Sequence, residues 1–231
     1  MIVPPEKSII AFRRIFMKTT IRKETPADYR SVETLTREAF WNRNVPGCAE
    51  HYFVNRMRSH PDFLPELAFV LELDDKLIGN VMYTRSWLLD EQDRRKTILT
   101  FGPVSIHPDY QRKGYGKLLL EHSFAAAKEL GYDAIVIFGD PDNYVSRGFR
   151  SCRSCSVSLE GDLFPTALLV KELTPGVLSG KHWRYVSSSA EECCSDTAAV
   201  EAFDAGFPPK EKGWQPSQEA FYIHSHSMIV R

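Results

Sequence analysis

No apolar run in this chain approaches the roughly 20 residues that a membrane-crossing helix needs. The one short apolar run near the start, Ile9 to Phe12, precedes Arg13 and Arg14. A secretory leader needs a longer apolar stretch, placed after its basic end. An excess of charge of either sign is also missing: 29 Lys and Arg against 30 Asp and Glu give a net charge of −1. A broad basic field for nucleic acid is therefore not indicated, which leaves room only for a local patch. Cysteine is sparse, with five residues, an odd number and unevenly spaced. Such a set does not form a secreted disulfide framework, so the expected compartment is the reducing cytosol. Neither Gly-x-x-x-x-Gly-Lys-Ser/Thr nor Gly-x-Gly-x-x-Gly occurs, which removes the nucleoside-triphosphate loop and the dinucleotide fingerprint.

What is present is enough apolar material for one sizeable core, 43% of 231 residues. Residues 1–16 carry no periodic pattern and precede Met17, so they are expected to be a dispensable extension. Residues 17–186 read as the main domain and 187–231 as a small helical appendage packed on it. Residues 19–24 alternate as a strand. Thr25-Pro26-Ala27-Asp28 starts a helix, with a Thr cap, Pro at the first helical position and an acid three residues after the cap. A second helix follows over about 49–59, where His51 is expected to be a polar surface residue, with a place facing a substrate cleft as the alternative. Two strand patterns, 67–73 and 76–89, are joined by Asp74-Asp75, a hairpin signal. Residues 97–106 are a further strand, rich in Ile, Leu, Val, Phe and Thr.

The stretch from Val104 to Leu120 organises the rest. His107-Pro108 ends the strand, because proline cannot donate to a ladder. Then come Gln111-Arg112-Lys113-Gly114-Tyr115-Gly116, followed by a helical pattern to about Leu130, expected to be largely covered. A strand, a loop with two glycines and a helix start gather free backbone N–H groups in one concavity, which suits a phosphate. Gly114 and Gly116 let an anion come close to the backbone. Arg112, Lys113 and Lys117 add positive charge. Gly131 ends the helix, and residues 133–139 form a short strand expected to be buried on both faces.

This string, Gln-x-x-Gly-x-Gly after a strand ending Val-Ser-Ile-His-Pro, resembles the acyl-CoA-binding motif of the GNAT acetyltransferase superfamily. The resemblance covers about residues 19–171. It implies an α/β fold of the α+β type, a mixed and mostly antiparallel sheet flanked by helices, with the small C-terminal helical appendage added. It implies acetyl-CoA as acyl donor, with Val104, Ser105, Ile106, Gln111, Arg112, Lys113, Gly114, Tyr115, Gly116 and Lys117 holding CoA. It also implies that the strand at 133–139 splays from the one at 97–106 and that the CoA arm enters the gap. Tyr144, four residues before Gly148-Phe149, resembles the tyrosine that protonates the departing CoA thiolate in many of these enzymes. A phenol is protonated at neutral pH and can serve as a positioned donor. Asn143 stands where a bacterial subgroup has another tyrosine and is expected to make a polar contact to CoA.

The implied activity is N-acetyl transfer by direct attack of a primary amine, on a small molecule or a protein. A non-catalytic acyl-CoA-binding module of the same fold is the alternative. No Asp or Glu lies in residues 99–105, so the base stays open, with His107 and Glu50 as distant candidates. Cys152 and Cys155, with Cys193 and Cys194, lack the spacing of a zinc site, and no metal is expected. No nucleic acid or membrane partner is expected either. The tail is expected near the substrate entrance or at a homodimer contact.

Overall fold

The computed structural model describes residues 18–230; the extension expected at 1–16 lies outside the described residues. Strand β1 (Thr19–Lys23) leads into helix α1 (Tyr29–Phe40) through a short 3-10 turn over Pro26–Asp28. The turn is fixed as its sequence predicts: the N–H and hydroxyl of Thr25 donate to Asp28 Oδ2 at 2.8 and 2.7 Å. Helix α2 (Glu50–Met57) follows. Strands β2 (Phe69–Leu73) and β3 (Lys76–Leu89) form the expected hairpin. Asp74 and Asp75 both take positive φ, 49° and 63°, as a tight two-residue turn requires.

Strand β4 (Arg95–Ile106) pairs antiparallel with β3 along its length. The register shifts between Val81 and Tyr83, opposite Phe101 and Val104, so β4 carries a bulge at Gly102-Pro103. Helix α3 (Tyr115–Glu129) and strand β5 (Ala134–Phe138) come next. After the short helix α4 (Pro141–Tyr144) the chain forms β6 (Arg150–Ser151), β7 (Val157–Ser158), β8 (Leu168–Glu172) and β9 (Trp183–Val186). Helices α5 (Thr197–Asp204) and α6 (Pro216–His226) end it.

The nine strands form one mixed, mostly antiparallel sheet in the order β1-β2-β3-β4-β5-β8-β6, and β9 pairs with both β3 and β7. Helix α3 covers one face over the largest core, with Leu119, Leu120, Phe124 and Ala127 against Leu71, Tyr83, Leu99, Phe101 and Ile135. Helices α1 and α2 cover the other face, where Val32, Phe53, Val54 and Met57 meet Val70 and Met82. A third cluster, including Leu88, Ile98, Val136, Trp183 and Tyr185, fills the end of the sheet that β9 closes. Each buried Leu, Val or Phe contributes roughly 1.5–3 kcal/mol of apolar burial. No helix among the described residues is long and apolar enough to cross a membrane.

Three expectations need correction. Helix α3 is covered on one face only; Leu118 is 44% exposed and His122 is exposed, because among the described residues nothing packs outside the α3 layer. Strand β5 is buried from Ala134 to Ile137, but its last residue, Phe138, still paired with Leu168 of β8, is 53% exposed. His51 is no surface residue. It is completely buried, its ring against Phe203 and Phe207 of the tail at 5.4 and 5.2 Å.

Candidate functional site

The centre of the site is a gap in the sheet. β4 and β5 are parallel neighbours, yet they pair at one position only, Leu99 with Ile135. Beyond it β4 is held by β3 and β5 by β8, so the two diverge past the bulge. Val104, Ser105 and Ile106 are the β4 residues along this gap. Val104 and Ile106 lean on the large core. The Ser105 side chain turns the other way and donates to Thr36 Oγ1 at 3.1 Å, so its backbone alone is left for a ligand.

At the end of β4 a 3-10 turn (Pro108–Tyr110) leads to the glycine loop. His107 caps this turn, its Nδ1 accepting from the Asp109 N–H at 3.3 Å, which engages one nitrogen of a distant base candidate. The Gln111 side chain donates to the Ile106 carbonyl at 2.9 Å and pins the loop to the strand. Arg112 takes φ 58° and Gly114 φ 92°, and Gly114 is the N-cap of α3. A Cβ at Gly114 would meet no protein atom within 4 Å. At Gly116 the nearest protein atom is Ile106 Cγ1, at an ordinary 3.6 Å. Space above both glycines is therefore open. The N–H groups of Gly114, Tyr115, Gly116 and Lys117 find no acceptor among the described residues, as expected for a helix start. Four free amides, the positive end of a 15-residue helix and open space fit a phosphate group. The Lys113 ammonium is bonded to the Asp109 carbonyl at 2.8 Å, and Lys117 pairs with Glu121 at 3.6 Å.

Tyr144 stands on the same side of the sheet, at the end of α4. Its ring packs on Phe101 and Phe149, both at 5.7 Å between centroids. It also lies flat against Gly139: a Cβ there would sit 2.6 Å from Tyr144 Cε2. The close approach of ring to backbone is what Gly139 permits. The Tyr144 hydroxyl has no hydrogen-bond partner among the described residues. Burial pushes its pKa up to about 12, against a smaller pull from Arg43 and Arg147. The phenol is therefore protonated and free to donate. Asn143 is exposed on α4, and its amide donates to Asp140 Oδ2 at 3.2 Å.

The other face of the gap has polar and apolar walls that the sequence did not reveal. Thr100 Oγ1 lies 2.7 Å from Tyr185 Oη and 2.7 Å from Ser86 Oγ, and it donates to the Val136 carbonyl at 2.9 Å. Phe138 adds an exposed ring beside Tyr185. The loop between α1 and α2 brings Arg43 within electrostatic range of Tyr144. Glu50, at the start of α2, has its pKa raised by burial.

The tail crosses this face. α5 docks through Asp204, which accepts from Arg37 Nε at 2.6 Å and Nη2 at 3.2 Å. His51 Nε2 lies 3.0 Å from the same carboxylate without hydrogen-bond alignment. α6 then bridges two walls. At one end Ser217 and Gln218 donate to the carbonyls of Arg43 and Asn42 at 2.8 and 3.0 Å. At the other, Thr166 donates to the carbonyls of His224 and Ser227, both at 3.0 Å. No periodicity in the tail predicts these contacts; they join residues more than fifty positions apart.

Comparison with known proteins agrees with this geometry. Residues 32–151, more than half the chain, match the family model described as Acetyltransferase (GNAT) family. The Escherichia coli K12 N-acetyltransferase YhbS is 26% identical over 161 residues, 69% of this chain and 90% of that protein. The crystal structure of E. coli YhbS in complex with CoA superposes with a TM-score of 0.65 at 22% identity, covering 76% of this chain and 93% of YhbS. A GNAT family acetyltransferase from Brucella melitensis, in complex with acetyl-CoA, gives a TM-score of 0.58 at 22% identity, covering 75% and 97%. At that identity the two structures speak for the fold. With the sheet order, the gap beside β4 and the matched span, they lead to one conclusion: the chain belongs to the GNAT acetyltransferase family.

Proposed function

We propose that the protein transfers the acetyl group of acetyl-CoA to a primary amine, with Tyr144 as the acid that protonates the leaving thiolate. The CoA pyrophosphate lies on the amides of Gly114, Tyr115, Gly116 and Lys117, with Arg112 and Lys113 at the rim. The arm of CoA runs along Val104, Ser105 and Ile106 into the gap between β4 and β5. Gln111 acts by holding the loop in place, and Asn143 lies at the edge of the same channel. The ligands of the two superposed structures, CoA and acetyl-CoA, support this donor. The observation that carries the reading is the unpartnered, protonated hydroxyl of Tyr144 beside the gap. A thiolate leaving group gains most from a donor that is already in place and has no competing partner. All five cysteines are free thiols, which fits the cytosol.

The test is thiol release from acetyl-CoA by the purified chain with phenethylamine, tyramine, cadaverine, spermidine, free amino acids and a peptide N terminus. The reading predicts thiol release that depends on one or more of these amines. Tight CoA binding with no release for any amine would instead favour a non-catalytic acyl-CoA-binding module.

A further inference from the structure

Helix α6 is held to the body at its two ends. At the first end Ser217 and Gln218 donate to the Arg43 and Asn42 carbonyls, just past α1, and α1 is tied to β4 by the bond between Thr36 and Ser105. At the other end Thr166 donates to the His224 and Ser227 carbonyls, and the Ile229 N–H donates to the Phe164 carbonyl at 2.8 Å. The residue after Thr166 is Ala167, whose carbonyl accepts from the Gly139 N–H at 2.9 Å. Gly139 follows β5 and packs against the Tyr144 ring. One foot of α6 therefore stands on the β4 wall of the gap and the other on the β5 wall. The 11 residues of the helix span roughly 16 Å between them.

Between the feet the helix is open all round. Residues 219–223 are exposed, and five consecutive residues go once round a helix. Gln218 is buried and points at the body. Helical spacing puts Phe221 and Tyr222 on the same inward face. Yet Phe221 is 45% exposed and Tyr222 58%. Inward rings without cover mean open space beneath α6. Tyr222 stacks on His226 at 4.1 Å, which sets its plane. In β4 and β5, Leu99, Phe101, Ile135 and Ile137 join the core under α3. Alternation therefore turns Thr100 and Phe138 to the opposite face, which α1 shares. There Thr100 is bonded to Tyr185, and the Phe138 ring lies exposed 6.3 Å from the Tyr185 ring.

Resting on the acetyltransferase reading above, we infer that α6 roofs the acceptor cleft and that Phe221 and Tyr222, with Phe138 across from them, select an amine carried on an aromatic body. A flat apolar ring entering under α6 takes exposed faces of these side chains out of water. Aromatic rings also gain by offset or edge-to-face packing on one another. The inward face of α6 is Gln218, Phe221, Tyr222 and Ser225 and holds no acid. No carboxylate there receives the second cation of a diamine or polyamine. Ile223, 53% exposed, lies on the outward side by the same spacing and takes no part.

The experiment measures kcat and KM for phenethylamine, tyramine, cadaverine and spermidine with wild type, the double variant Phe221→Ala/Tyr222→Ala, and Ile223→Ala as control. Wild type should prefer an aromatic amine to cadaverine and spermidine by about tenfold in kcat/KM, the size that two aromatic contacts supply. The double variant should raise the KM for that aromatic amine by about tenfold. Its kcat and its KM for acetyl-CoA should hold, as when ground-state binding alone is lost. Both rings are exposed, so the melting temperature should stay unchanged. Ile223→Ala should match wild type. An active wild type without the aromatic preference, or a double variant with the wild-type KM for the amine, would overturn the inference and leave the acetyltransferase reading standing. A loss that Ile223→Ala shares would also overturn it. So would a double variant that only dissociates a dimer in size-exclusion chromatography, since the rings would then belong to an interface between copies. A wild type that releases thiol with none of the amines would overturn both readings together.

Discussion

Replacing Asp204 by Asn tests whether the tail is part of the folded body. Arg37 is 2% exposed, and both of its hydrogen bonds go to the Asp204 carboxylate. Burial works against that carboxylate, but the Arg37 guanidinium outweighs it and the Asp204 pKa is lowered. In Asp204→Asn a buried cation loses its only counter-charge among the described residues. Breaking a buried pair from one side costs about 3–5 kcal/mol. The Asp204 side chain is 21% exposed, so water can enter and the lower end, about 3 kcal/mol, applies. In a chain of this size that is a fall of about 6–12 °C in melting temperature. The stacking of Arg37 over Trp41, at 4.2 Å, survives the substitution and does not alter the sign. Adding Arg37→Met should recover much of the loss, because it removes the unpaired charge. The assay is thermal and urea unfolding of the two single variants and the double. A fall of less than about 2 °C in Asp204→Asn would mean that Arg37 is solvated without the tail, and the docking argument would fail.

The other predictions concern the glycine loop and the buried histidine. Gly116→Ala adds a Cβ at an ordinary distance from Ile106 and improves helix propensity by up to about 1 kcal/mol. It should hold or raise the melting temperature while weakening CoA binding in calorimetry; unchanged affinity would move the pyrophosphate off these amides. Burial lowers the His51 pKa from 6.5 to about 4, so the unfolded chain holds a proton that the folded one releases between those values. Stability should therefore fall as the pH drops through that window, by about 2 kcal/mol between pH 7.5 and 5. His51→Gln should flatten that slope in urea melts, and an identical slope in both proteins would contradict the assignment.

Local signals made much of this molecule legible. The Thr25-Pro26-Ala27-Asp28 start, the Asp74-Asp75 hairpin and the glycine loop depend on residues a few positions apart, and each forms as expected. The loop was readable because only glycine suits the left-handed backbone at position 114 and the open space above 116. His51 was misread because its neighbours Phe203, Asp204 and Phe207 lie about 150 residues away, and a histidine in an amphipathic pattern looks solvated. The divergence of β4 from β5 came from resemblance alone; its local cause, the bulge at Gly102-Pro103, is a matter of register that periodicity does not carry.

Steady-state kinetics of Tyr144→Phe, with acetyl-CoA and a responsive amine, test the central claim most directly. The substitution keeps the ring on Phe101, Phe149 and Gly139, so the fold and CoA affinity should survive. If the hydroxyl protonates the thiolate, kcat should fall by roughly 10²- to 10⁴-fold with little change in the KM for acetyl-CoA. A Tyr144→Phe enzyme that turns over like wild type would contradict the account and leave Tyr144 as a packing residue.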